Sequence, residues 1–91
     1  PGHRAAIGAW AARIAELRHH HEARLGAMAA AVRGYGEASA FEVARSVFPL
    51  DRFTPHEQRF AIAETIAHLE RLVFSGALVR ARCDGVRYRP A

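Results

Sequence analysis

Three consecutive histidines, His19, His20 and His21, followed by Glu22, form the densest run of metal-binding side-chain types in this 91-residue sequence. Imidazoles and carboxylates are ligands for zinc, and a helix presents them as an i, i+4 pair completed by a third ligand from elsewhere. Consecutive helical residues point about 100° apart, so three adjacent rings diverge and do not close on one tetrahedral ion. The residues four positions away are Ala15, Glu16, Leu17, Ala23, Arg24 and Leu25, which leaves Glu16 with His20 as the only spaced pair. The expectation is that none of the three binds metal within this chain. His21 falls on an apolar seam and is read as a partly buried ring bonded to a backbone carbonyl, with His19 and His20 solvated or packed against a neighbouring domain.

His68 follows Glu64 by four residues. The spacing predicts an exposed i, i+4 pair on the polar side of a helix, worth a few tenths of a kcal/mol. For acid–base work it would need a nucleophile or a second carboxylate beside it. Ser39, Ser46 and Ser75 fall at a helix cap, inside a helix and at a helix end, while Cys83 falls in a hairpin. No catalytic residue is assigned. Four arginines, Arg80, Arg82, Arg87 and Arg89, alternate with Val79, Ala81, Val86 and Tyr88, which predicts a ribbon with all four cations on one face. That face is either a contact for an anion or nucleic acid, or a solvated surface that keeps an edge strand from pairing with other chains.

The elements that position these residues follow from period and punctuation. Ile7, Trp10, Ile14, Leu17, Leu25, Met28 and Val32 recur at helical spacing, with His21 in the gap, so residues 5–33 are one long helix or two meeting near the histidines. Gly34-Tyr35-Gly36 ends this region. Ser39 with Glu42, and Thr54 with Glu57 behind Pro55, are capping boxes that start a second and a third helix. Pro49 stops the second helix and Gly76 closes the third. The stripe Ile62, Ile66, Leu69 and Val73, widened by Phe60, Leu72 and Phe74, is the expected core face of the third helix. After Gly76 the period becomes 2, and Asp84-Gly85 is the turn signal of a hairpin. The fold class expected is mainly α with a small β-hairpin: a long N-terminal helix, two further helices and a two-stranded ribbon, in the order of a winged helix-turn-helix.

Composition narrows the setting. A chain this short supports one core, and no run reaches the roughly 20 apolar residues needed to cross a bilayer. A single cysteine and the lack of a leader-like start argue against a disulfide framework and secretion, so a cytoplasmic protein with no membrane contact is expected. All thirteen basic residues are arginine, and the net charge of +4 is unevenly placed. Residues 1–33 carry five arginines against two glutamates and residues 77–91 four against one aspartate, while residues 54–76 carry two against three glutamates.

The blocks RIAELRHHHEARL at 13–25, FEVARSVFP at 41–49 and QRFAIAETIAHLERLVFSGALVR at 58–80 resemble the C-terminal winged-helix domain of metallo-β-lactamase-fold hydrolases, over almost all of the chain. The resemblance implies a parent enzyme that binds zinc through an H-x-H-x-D-H motif absent here, and an N-terminal catalytic domain as the partner of this one. Pro1-Gly2-His3 is similar to the turn that carries that domain's last zinc ligand, which would make His3 a metal ligand in the parent, although Arg4 stands where the turn has a glycine. The resemblance makes residues 1–20 the end of the catalytic domain and a linker helix and residues 21–91 the winged-helix domain; the chain itself would hold no cofactor and would serve packing, substrate access and self-association through its first helix. The alternative is a free-standing winged-helix nucleic-acid binder. A DNA-reading third helix usually presents cations to phosphates and base edges, so the net negative third helix makes specific DNA binding an unfavourable reading.

Overall fold

In the computed structural model of the protein, residues 2–82 and 84–91 are described, with side chains in the first helix from position 8 onward. His3, Ile7 and Cys83 therefore lie outside what is described of side chains. The order is α1 (Gly2–Tyr35), α2 (Ala40–Val47), a 3-10 turn (Leu50–Arg52), α3 (Pro55–Phe74), β1 (Leu78–Arg82) and β2 (Val86–Pro90). This is the mainly helical chain with a terminal hairpin that the sequence predicts, and among the described residues no helix is long and apolar enough to cross a membrane.

Of the two arrangements open for the first segment, one continuous 34-residue helix is the one found. It ends at Gly36, whose φ of 81° is a backbone position that favours glycine and whose N–H returns to the Val32 carbonyl at 2.9 Å. Both capping boxes form: the Ser39 and Thr54 hydroxyls accept from the N–H groups of Glu42 and Glu57, and each glutamate accepts from the N–H of its capping residue. The helix-capping chemistry written into these tetrads thus sets where α2 and α3 begin.

One core joins Met28 and Val32 of α1, Val43 of α2, Leu69 of α3, Leu78 of β1 and Tyr88 of β2, with Ala38 from the α1–α2 connection. A smaller cluster of Ala44, Leu50 and Ala61 closes the α2–α3 turn, and the Gln58 side chain amide donates to the Leu50 and Phe53 carbonyls there. The expected core face of α3 is met in part. Leu69 is buried and Ile62, Leu72 and Val73 pack against the core clusters, but Ile66 is 42% and Phe60 67% exposed, and the buried positions are Ala61, Thr65, His68 and Leu69. The helix is rotated by about one residue from the stripe of large side chains. Small residues at 44, 61 and 65 allow α2 and α3 to approach closely, and the Thr65 hydroxyl is satisfied internally by the Ala61 carbonyl at 2.7 Å.

The strands are antiparallel, with Val79 opposite Arg89, Arg80 opposite Tyr88 and Arg82 opposite Val86. Ala38 adds a bridge to the outer side of β2, exchanging backbone hydrogen bonds with Tyr88 at 2.8 and 2.7 Å.

Candidate functional site

The helical half of the candidate site is a polar recess where α1 crosses α3, lined by Leu17, His20, His21, Arg24, Glu64 and His68. Arg24 donates to the Glu64 carboxylate at 2.7 Å and lies 4.9 Å from the centre of the Phe48 ring. His21 stands beside His68 as Arg24 stands beside Glu64, so the two helices run in opposite directions. Neither histidine is where the sequence suggests. His21 is exposed and bonded to no carbonyl among the described residues, its ring centre 4.6 Å from that of His68. His68 is not an exposed partner of the Glu64 carboxylate: it is 7% exposed, and its Nδ1–H donates to the backbone carbonyl of Glu64 at 2.7 Å. The physical reason is the one-residue rotation of α3, which turns His68 under α1 and leaves the Glu64 carboxylate to Arg24. His19 and His20 are exposed. Among the described residues no three histidine, cysteine or acidic side chains are placed to hold a metal ion.

The hairpin forms the second half. Residues opposite each other in an antiparallel pair share a face, so Arg80 and Arg82 lie on the face of Tyr88, while Arg87 and Arg89 lie with Val79 and Ala81. The single cationic face expected for Arg80, Arg82, Arg87 and Arg89 is therefore corrected to two pairs on opposite faces. The cause is the connection: three residues, 83–85, separate Arg82 from Val86, whereas the alignment of all four arginines requires a two-residue turn. Two of the four are also engaged. Arg80 forks onto the Glu70 carboxylate, and Arg87 reaches Glu42 at 3.1 Å and Glu37 at 3.5 Å. Arg82 and Arg89 make no ion pair among the described residues.

Glu70 is the polar hub that sequence reasoning missed. It accepts from Arg80 and from the Tyr88 hydroxyl, the latter at 2.6 Å, and these bonds hold its carboxyl well below the usual range, at about 2. Burial, reinforced by the adjacent carboxylate, pushes the Tyr88 phenol up to about 12. Glu42 is held below its ordinary value first by the Ser39 backbone N–H and further by Arg87. The Glu70 and Tyr88 shifts come from burial and from the bonds that fasten the hairpin to α3, and the Glu42 shift comes mainly from the capping box of α2. The signal for Glu70 was its charge amid apolar neighbours in HLERLVF, which has meaning only once the register places Tyr88 and Arg80 beside it.

The third feature is the part of α1 before His21. Because α1 and α3 are antiparallel, it runs toward and past the C-terminal end of α3. Trp10, Ile14 and Leu17, spaced i, i+4 and i+7, are 69, 47 and 50% exposed, and Phe74 at the end of α3 is 94% exposed. A 91-residue compact domain has a radius of gyration near 12 Å; this one has 16.1 Å and a long axis of 58 Å. The projecting helix accounts for the excess.

Two comparisons with known proteins bear on this geometry. The family model described as metallo-beta-lactamase-like, C-terminal domain, matches residues 25–91. A crystal structure of a beta-lactamase domain protein from Burkholderia ambifaria superposes with a TM-score of 0.79 at 36% identity, covering 88% of this chain and 24% of that one. The chain thus spans about a quarter of that protein's length. A comparison with curated proteins gives no match.

Proposed function

Because the chain belongs to the metallo-β-lactamase-like C-terminal domain family, we propose that it is the accessory domain of a zinc-dependent hydrolase with a metallo-β-lactamase-fold catalytic domain preceding it. The observation that carries this reading is the exposed stripe of Trp10, Ile14 and Leu17 on the projecting part of α1. It lies ahead of the family match, which begins at Leu25, where α1 joins the core. Apolar patches of this kind mark contacts with other protein. In the proposed arrangement the stripe lies against the catalytic domain, α1 sets the distance between the two, and the domain limits access to the substrate cleft and supports self-association. Residues 1–20 act as the linker and residues 21–91 as a winged helix, a reading supported by the Ala38–Tyr88 bridge that adds a third extended segment to the hairpin.

The proposed zinc chemistry belongs to the catalytic domain. His3 is the one candidate ligand this chain would lend it, and the described residues offer no three-ligand group of their own, so no catalytic step is assigned here. The nucleic-acid reading has less support, since Arg80 and Arg87 are committed to carboxylates of the same domain.

Hydrogen exchange tests the proposal in a protein that carries the preceding catalytic domain. Amides of residues 8–20 should be protected there by at least tenfold relative to the 91-residue chain, and His3→Ala should lower its zinc content. Equal exchange of that segment in both proteins would refute the docking.

A further inference from the structure

The Nε2 atom of His68 is buried and has no hydrogen-bond partner among the described residues. The other side of the ring sets the tautomer. The Glu64 carbonyl only accepts, so in the neutral ring Nδ1 carries the proton and Nε2 presents a bare lone pair. Leaving such an acceptor unsatisfied in the interior is costly, and polar atoms in this condition call for an ion, a water or a ligand. A histidine whose Nδ1–H is held by a backbone carbonyl, with Nε2 free, has the arrangement that orients imidazoles toward metals.

A second imidazole is already in place. The His21 ring centre lies 4.6 Å from that of His68, and His21 is exposed and lines the same recess. Two imidazoles bonded to one ion at about 2.0–2.1 Å stand with ring centres roughly 4.5–5.2 Å apart, depending on the angle at the metal. The charges around the recess do not oppose a cation: Arg24 is paired with Glu64 at 2.7 Å, and the remaining polar side chain lining it is His20. We propose that His21 of α1 and His68 of α3 form a two-imidazole site for a divalent transition-metal ion such as Zn²⁺ or Ni²⁺, clamping the two helices where α1 leaves the core. The divergence of His19, His20 and His21 along their own helix still holds. The second ligand comes across the helix pair, where spacing along α1 could not reveal it. With no third protein ligand converging among the described residues, water completes the coordination.

Calorimetric titration of the untagged, chelator-treated chain with Zn²⁺ and with Ni²⁺ at pH 7.5 should show one ion bound per chain. His21→Ala and His68→Phe should each weaken binding by at least roughly tenfold, the lower end of what losing even a supporting outer partner costs. The double variant should be no weaker than the worse single one, because both remove the same site. His19→Ala and His20→Ala should change affinity by less than tenfold. Nitrogen NMR of the unaltered chain provides a readout that does not depend on a variant's folding: Zn²⁺ should shift the Nε2 resonance of His68 and a ring nitrogen of His21. Shifts that spare His68 Nε2, or a loss smaller than tenfold in either His21→Ala or His68→Phe, would overturn the proposal and return the histidines to a surface cluster.

Discussion

The Tyr88 hydroxyl donates to Glu70 at 2.6 Å, joining the last strand to the last helix across 18 positions of sequence. Arg80, together with this bond, lowers the pKa of the Glu70 carboxyl to about 2, against an unfolded value of 4.5. A carboxyl depressed in the folded state contributes stability that is present above its unfolded value and lost as the pH falls from there toward its folded one. Tyr88, raised to about 12 from 10.0, contributes stability that is present below pH 10 and lost as the pH rises toward 12. The melting temperature should therefore fall on both flanks, and Tyr88→Phe should flatten both while costing about 1 kcal/mol at pH 7. In a domain of this size that is a drop of roughly 4–8 °C by calorimetry.

The hairpin connection makes a separate demand. Asp84 and Gly85 both have positive φ, 56° and 92°. Nothing crowds a Cβ built on Gly85, so the cost of Gly85→Ala comes from the backbone conformation, about 1 kcal/mol. Denaturant midpoints should record it, and Asp84→Gly should leave stability nearly unchanged or slightly raised.

The exposed stripe on α1 predicts association of the 91-residue chain with itself. Sedimentation at high micromolar concentration should show a reversible dimer, and Trp10→Ala should shift it toward monomer. A variant that associates as strongly as the parent would move the interface away from Trp10.

Splitting the arginines between two faces lowers what the hairpin can do for an anion. Four phosphate contacts to a single strand would give log K a slope of about −2.8 against log salt, whereas one face, with Arg82 or Arg89 as its uncommitted cation, gives about −0.7. Anisotropy with a short RNA should show weak binding with the shallower slope, and Arg82→Ala with Arg89→Ala should abolish it. A slope near −2.8 would show that Arg80 and Arg87 leave their carboxylates on binding.

Apart from the continuity of α1, the elements and their ends are legible in the chain, because the chemistry that sets them is local. Ser39 with Glu42, Thr54 with Glu57, and glycines at 36 and 76 act within one turn of chain, so the helix starts and stops can be read without knowing what packs against them. Which faces meet depends on packing between elements. Hydrophobic spacing in α3 is satisfied by more than one rotation, and close approach over Ala44, Ala61 and Thr65 selected the one that buries His68 and exposes Phe60. Alternation in the strands is likewise blind to register, and the loop of residues 83–85 placed Arg80 opposite Tyr88. The His21–His68 pair and the Glu70 hub each join residues that are distant in sequence, 47 and 18 positions apart. They exist only because α1, α3 and the hairpin share one core.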